Sequence, residues 1–309
     1  MTPIIPPSVP LPETAPDDPR LGHLLGSGLG KSDLPEAVIL GFPSDEGVRR
    51  NGGRVGAAQG PAAIRSALYR LAPDARSERF DHLLSRTRDL GDLRVSGDVE
   101  ADQRSLGEVL APHLAQGAFV IVLGGGHETS YGHFLGYARL GRAVEILNWD
   151  AHADVRELAS GKAHSGSPFR QAIEDPSGAC RRYSVAGLQP HAVAREHVAF
   201  VERHGRAVWR DDVTPERIAQ LYRSADSPTL ASFDLDAVGE AEAPGVSAPN
   251  SGGLTGDLWV EAAYQAGRTP AVASADVVEL NPAVDRDGQT ARLAAVTVWW
   301  LLRGRSERR

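Results

Sequence analysis

The stretch Asn148-Trp149-Asp150-Ala151-His152-Ala153-Asp154 places three potential metal ligands at alternate positions, directly after an apolar run at 143–149. Alternate side chains of an extended chain share a face, so Asp150, His152 and Asp154 are expected to project to one side. Burying such groups at a strand end is costly unless cations balance them. A second stretch, Ser232-Phe233-Asp234-Leu235-Asp236, repeats the logic with Asp234 and Asp236. A third, Leu123-Gly124-Gly125-Gly126-His127-Glu128, adds His127 behind three glycines that let the backbone turn tightly. It lacks the G-x-G-x-x-G spacing and the lysine of a phosphate loop, which argues against nucleotide binding. The four carboxylates carry a formal charge of about minus four, which two divalent cations neutralise while the imidazoles stay neutral. Mixed imidazole and carboxylate ligands favour manganese over a thiolate-selected zinc site.

Working outward, short apolar runs recur at 37–42, 118–123, 143–149, 183–188, 207–209, 229–233 and 271–278, with a weaker one leading into Asp89-Leu90-Gly91-Asp92. Several show little polar alternation, as strands covered on both faces do. Helical patterns lie between them at 61–71, 101–115, 129–140, 192–204, 214–224, 255–266 and 289–302. This alternation predicts an α/β fold: one three-layer α/β/α domain around a mostly parallel sheet of about eight strands, with ligands beyond the strands' carboxyl ends. All three ligand runs stand there. Residues 1–30 read as a proline-rich arm, 31–303 as the catalytic domain and 304–309 as a short polar tail. The Gly-, Pro-, Ala- and Ser-rich segment 240–253 reads as a surface loop that lines the site.

Composition bounds the partners. With 41% hydrophobic and 24% charged residues among 309, the chain has the balance of a globule with a substantial core. Its net charge of −7 and pI near 5.8 oppose non-specific binding to nucleic acid or to an anionic membrane. The single cysteine, Cys180, excludes an internal disulfide, and no apolar run approaches the roughly 20 residues of a membrane span. The opening segment lacks the pattern of a secretory signal, and the cytoplasm is the expected compartment.

The G-G-G-H-E, D-A-H-A-D and S-F-D-L-D runs resemble, in order and spacing, the metal motifs of the ureohydrolase family of arginases, agmatinases and formimidoylglutamases. The resemblance implies the arginase/deacetylase-like fold and two manganese ions per subunit. His127, Asp150, Asp154 and Asp234 would hold one, and Asp150, His152, Asp234 and Asp236 the other. A hydroxide shared by both would be the nucleophile. Glu279, in Ala275-Asp276-Val277-Val278-Glu279-Leu280-Asn281-Pro282, matches the family glutamate that binds the cationic amidine or guanidine. Asp236 is the candidate first proton acceptor, and Asp276 a supporting group. The family's oligomers imply a homo-oligomer, trimer or hexamer.

Two further stretches bear on the substrate. His164-Ser165-Gly166-Ser167-Pro168-Phe169-Arg170 puts Ser165 where arginases carry a shuttling histidine, with His164 one residue out of register. The run resembles that of formimidoylglutamases, as does Asp45-Glu46-Gly47-Val48-Arg49-Arg50-Asn51. Arg156 falls where arginases place an asparagine that touches the substrate's α-carboxylate. N-formimidoyl-L-glutamate carries two carboxylates and an amidine, so Arg156, Arg49 and Arg50, with His164 and Ser165 nearby and Glu279 at the metals, make up the expected pocket. The products would be L-glutamate and formamide, in histidine breakdown. The alternatives are a urea-releasing enzyme acting on a guanidino acid or agmatine, and a catalytically silent metal-binding homologue. A single-zinc deacetylase is disfavoured by the full set of six ligands.

Overall fold

Runs of branched and aromatic residues form the strands, and alternation assigns their side chains to two cores. In the strand Ala37–Phe42, Ala37 and Ile39 join one buried cluster while Val38, Leu40 and Phe42 join the other. The computed structural model describes residues 3–15, 17–224 and 227–308; Met1, Thr2 and Pro16 of the expected arm and Arg309 of the expected tail lie outside them. The strands are β1 (Ile4–Ile5), β2 (Ala37–Phe42), β3 (Thr87–Leu93), β4 (Phe119–Gly124), β5 (Val144–Trp149), β6 (Cys180–Leu188), β7 (Gly205–Trp209), β8 (Thr229–Asp234) and β9 (Val272–Val278). They form one sheet in the order β1-β3-β2-β4-β9-β8-β5-β6-β7. Every pairing is parallel except β1 with β3, where Ile4 stands opposite Leu93. The eight expected strands are thus joined by a ninth, supplied by the proline-rich start.

The helices are α1 (Leu21–Leu24), α2 (Glu46–Arg50), α3 (Gly60–Leu68), α4 (Glu78–Ser85), α5 (Val99–Ala115), α6 (Thr129–Arg139), α7 (Pro168–Ile173), α8 (Arg195–His204), α9 (Pro215–Arg223), α10 (Gly256–Arg268) and α11 (Gln289–Arg305). Local chemistry sets several starts: Asp98 and Thr255 accept backbone N–H groups as caps of α5 and α10, and Pro61 occupies the first turn of α3. Ile64, Trp259 and Val298 of α3, α10 and α11 pack on one face of the sheet. Leu106, Phe134 and Phe200 of α5, α6 and α8 pack on the other. This is the three-layer arrangement, and each such side chain contributes about 1.5–3 kcal/mol by leaving water. Helices α10 and α11 cross closely because Gly267 and Gly304 meet; a Cβ on Gly267 would lie 2.2 Å from the Leu301 carbonyl oxygen. Among the described residues no helix is long and apolar enough to cross a membrane.

The topology brings β4, β9, β8 and β5 side by side at the centre. His127, Glu279, Asp234 and Asp150 stand at or just beyond the carboxyl ends of these four strands, where open α/β sheets bind ligands.

Candidate metal centre and active site

Tight turns, more than strand alternation, bring the ligands together. Asp150 is the first residue past β5, and its Oδ1 accepts the His152 backbone N–H at 2.6 Å. Asp154 reaches the same point through a left-handed backbone, with φ 45°. Asp234 ends β8 and its Oδ1 accepts the Asp236 N–H at 2.9 Å, starting a single 3-10 turn over Leu235–Ala237. Asp150 and Asp234 bond their own backbone two residues on, as Asx turns do. The expectation that Asp150, His152 and Asp154 converge by extended-chain alternation is corrected in its route: the strand stops at Trp149.

The glycines before His127 allow close contact with the loop after β2. The Gly125 N–H donates to the Phe42 carbonyl and the Gly126 N–H to that of Ser44, and a Cβ on Gly125 would sit 1.8 Å from the Ser44 carbonyl oxygen. Glu128 continues the contact by accepting the Gly47 N–H at 2.9 Å. Burial, reinforced by the Glu279 charge, pushes its carboxyl up to about 8.

Two groups of ligand atoms result, His127/Asp150/Asp154/Asp234 and Asp150/His152/Asp236, each within 4.8 Å and sharing Asp150. His127 Nδ1 lies 2.8 Å from Asp234 Oδ2, 2.9 Å from Asp154 Oδ2 and 3.5 Å from Asp150 Oδ2. His152 Nδ1 lies 3.1 Å from Asp236 Oδ2 and 3.4 Å from Asp150 Oδ1. Despite these approaches, His127 Nδ1 makes no hydrogen bond, and neither does the buried Asp236 Oδ1. Atoms that crowd to about 3 Å without hydrogen-bond alignment fit a shared cation, whose bonds of roughly 2.0–2.3 Å set neighbouring ligands at that spacing. The residues present therefore fit a pair of divalent ions.

The electrostatics agree. Burial, then the charges of Asp236 and Asp150, hold the Asp234 carboxyl well above the carboxylate range. Burial also raises Asp236 to about 6, against the opposing pull of His152. The Asp236 charge holds His152 above the imidazole range although burial opposes it. For His127 burial pulls down, but Asp234 and Asp154 win and keep it well above its ordinary value. Burial pushes Asp150 up, but His152 and His127 outweigh it and leave the carboxyl lowered. Bound cations would replace these protons.

A cavity of about 110 Å³ opens over the centre, lined by Val48, Asn51, Gly53, His152, Asp154, Arg156, Ser165, Asp234, Asp236, Ser247, Ala248 and Glu279. Glu279 is buried by the turn after β9, with φ 69°; its Oε1 accepts the His127 N–H at 2.7 Å and its Oε2 accepts the Ser247 hydroxyl. Burial raises its carboxyl to about 7. Arg156 Nη1 donates to Asn51 Oδ1 at 3.1 Å, and Asn51 Nδ2 donates to Ser165 Oγ at 3.1 Å. No carboxylate pairs with Arg156 among the described residues.

Three expected pocket residues do not line this cavity. Arg49 is two-thirds exposed and folds back on Glu46, three residues earlier in α2. Arg50 is tied to Glu46, to Glu100 at 2.8 Å and to the Ala163 carbonyl. The His164 ring is turned onto the Glu157 carbonyl at 2.9 Å. Asn51 and Ser247 take their place, and neither was singled out in the sequence. The residue after a double arginine and a serine in the expected loop carried only a weak signal.

The arginase family model matches residues 35–303. The chain belongs to the arginase family. Among this family member's relatives, the formimidoylglutamase of Chromobacterium violaceum is 36% identical over 91% of this chain and 92% of its own length. That of Nocardia farcinica is 39% identical over 84% and 83%. Among solved structures, the Trypanosoma cruzi formiminoglutamase with Mn2+2 superposes with a TM-score of 0.86 at 33% identity, covering 95% of this chain and all of the other. A Bacillus subtilis arginase, at 22% identity and a TM-score of 0.71 over 86% of this chain and 98% of the other, shares the fold.

Proposed function

We propose that this arginase-family protein is a formimidoylglutamase that binds two manganese ions and hydrolyses N-formimidoyl-L-glutamate to L-glutamate and formamide. The observation that carries the reading is the pocket in which Arg156, a guanidinium with no carboxylate partner among the described residues, shares a wall with the two-ligand-group centre and Glu279. The curated formimidoylglutamases above support it across most of the chain. His127, Asp150, Asp154 and Asp234 would hold one ion, and Asp150, His152, Asp234 and Asp236 the other. When bound, the ions polarise the amidine and supply a water acidic enough to react at neutral pH.

The chain's own residues bind and orient. Glu279 accepts hydrogen bonds from the cationic amidine, whose charge offsets the burial that raises the carboxyl to about 7. Arg156 receives a substrate carboxylate, with Asn51 fixing one guanidinium nitrogen and Ser165 fixing Asn51. Water adds to the amidine carbon, the bond from that carbon to the glutamate nitrogen breaks, formamide keeps the oxygen as its carbonyl, and both water protons end on the departing amine, which leaves as an ammonium. Asp236 is placed to carry a proton from the added oxygen to that amine: it lines the cavity, and its buried Oδ1 has no hydrogen-bond partner among the described residues. A cytoplasmic location and assembly into a trimer or hexamer go with this reading, on the single cysteine and the family resemblance; light scattering of the purified protein tests the assembly.

The activity test incubates the manganese-loaded protein separately with formimidoylglutamate, arginine, agmatine and guanidinobutyrate. Formamide from the first alone is expected. Urea from any of the others at a higher rate would replace this reading with that of a guanidino hydrolase.

A further inference from the structure

Beneath the metal centre a chain of buried side chains runs inward from His127, and none of its inner members has a part in the reaction above. His127 Nε2 lies 3.0 Å from Ser232 Oγ, which is 2.5 Å from Asp276 Oδ1. Asp276 Oδ2 lies 2.8 Å from His133 Nδ1, and His133 Nε2 lies 2.7 Å from Ser274 Oγ. Tyr137 closes the chain with its hydroxyl 2.6 Å from Ser274 Oγ, and Ser130 Oγ reaches Ser232 Oγ at 3.1 Å. All seven residues are buried. They tie β8 and β9 to α6, the helix that starts two residues past His127.

Donor and acceptor capacities resolve the direction of each bond. As a carboxylate, Asp276 can only accept, so the single Ser232 proton goes to it. Ser232 must then accept from His127 and Ser130, which fixes a proton on His127 Nε2 and leaves Nδ1, facing the aspartates, as the nitrogen that a cation would take by displacing any proton there. The other oxygen of Asp276 accepts from His133, which puts a proton on Nδ1 of that ring. Among the described residues Asp276 has no arginine or lysine partner; its one ion-pair contact is His133.

We propose that Asp276, held by His133 and acting through Ser232, is a positioning residue that fixes the tautomer and ring plane of His127 for metal binding. This rests on the reading of His127 as a metal ligand. A carboxylate behind a ligating imidazole raises its basicity and selects the nitrogen offered to the ion, and losing such support typically costs 10–100-fold in metal affinity. A hydroxyl between the two extends the same effect. His133 keeps Asp276 from turning its charge elsewhere.

The test measures equilibrium Mn2+ binding by competition with a chelator, together with the melting temperature of the metal-free protein and the visible absorption of the Co2+-loaded protein. It compares wild type with Asp276→Asn, Ser232→Ala, His133→Asn and His133→Leu. The expected result is one of two ions weakened about 10- to 100-fold in Asp276→Asn and Ser232→Ala, with an altered Co2+ spectrum. His133→Asn, which keeps a donor near the Nδ1 position, is expected to bind more tightly than His133→Leu. Unchanged Mn2+ affinity in Ser232→Ala and Asp276→Asn beside a lowered melting temperature would overturn the proposal in favour of simple packing. So would equal affinity for the two His133 variants. Wild type that binds no manganese would instead remove the parent reading, and this one with it.

Discussion

Two carboxylate clusters lie near the carboxyl ends of strands in this one sheet, and they solve the same charge problem differently. At β3, Asp89 and Asp92 surround Arg65 of α3, with bonds of 2.8 Å from Nε to Asp89 and 2.5 Å from Nη1 to Asp92, and Tyr69 adds its hydroxyl to Asp89 at 2.8 Å. Burial alone would lower the Arg65 guanidinium, but the two aspartates overcome it and raise it. At the centre of the sheet four aspartates meet two imidazoles, no guanidinium pairs with them among the described residues, and two buried ligand atoms stay without hydrogen bonds. The first cluster carries its cation in the chain. The second is built to take its cations from solution.

That contrast can be broken by opposite signs of response. Arg65→Met should destabilise the protein by about 3 kcal/mol, because the half-buried Asp89 and Asp92 lose the guanidinium that neutralises them, while manganese stoichiometry is unchanged. Chemical denaturation and metal analysis of the same sample check both halves. Asp234→Asn should lower kcat by about 10²–10³-fold and lose metal, the loss expected when charge stabilisation of the transition state goes. In the metal-free state it should raise the melting temperature, since it removes the burial cost of a carboxylate and its repulsion from Asp236 and Asp150, which together hold Asp234 high. A metal-free Asp234→Asn protein less stable than wild type would show that the second cluster is also self-supporting.

The arginines sharpen the comparison at smaller scale. Arg156→Ala should raise KM about 10- to 100-fold with metal content intact, as for a lost charge-assisted hydrogen bond. Arg49→Ala, which removes an exposed pair with Glu46, should change KM by less than about twofold. Equal effects at both positions would return Arg49 to the pocket.

Between these in size, on the order of 5 °C, stands a pH effect. Glu279 and Asp236, raised by burial to about 7 and 6, hold protons in the folded chain that the unfolded chain has released, so metal-free stability falls as pH rises from about 4 through 7. His152 and His127, raised mainly by neighbouring aspartates against burial, bind protons more tightly folded, and their contribution is present at low pH and lost as pH climbs beyond the imidazole range. Both effects have the same sign. Thermal melts from pH 5 to 8 should decline without metal and flatten or reverse with excess Mn2+, whose ligands bind better deprotonated.

The sheet is legible in the sequence because its strands are buried on both faces, so runs such as Val-Ile-Leu-Gly-Phe at 38–42 stand out without needing a partner. The ligand-bearing runs are legible because several acids and histidines held at buried strand ends are costly without a counter-charge. Less can be read where geometry depends on a turn. The strand Ile4–Ile5 is two residues long and owes its form to β3, and α2 looks like a loop because Gly47 interrupts it. The Glu46 to Arg49 and Arg50 spacings of three and four are a visible sign that the arginines face an acid on their own helix. His164 is settled by its ring's contact with the Glu157 carbonyl seven residues back, and Asn51 by a bond to Ser165 over a hundred residues away, neither of which adjacent sequence encodes.

The Gly125 and Gly126 contacts with Phe42 and Ser44, and that of Glu128 with Gly47, bind the Asn51-bearing loop to the turn that presents His127. The wall proposed to receive one end of the substrate and the turn proposed to offer an imidazole to the ions are thus a single mechanical piece. Replacing residues 43–51 with a loop suited to a different guest is therefore expected to disturb ion retention as well as preference, so a change of substrate in this scaffold must be accompanied by adjustment at the Gly124-Gly125-Gly126 step.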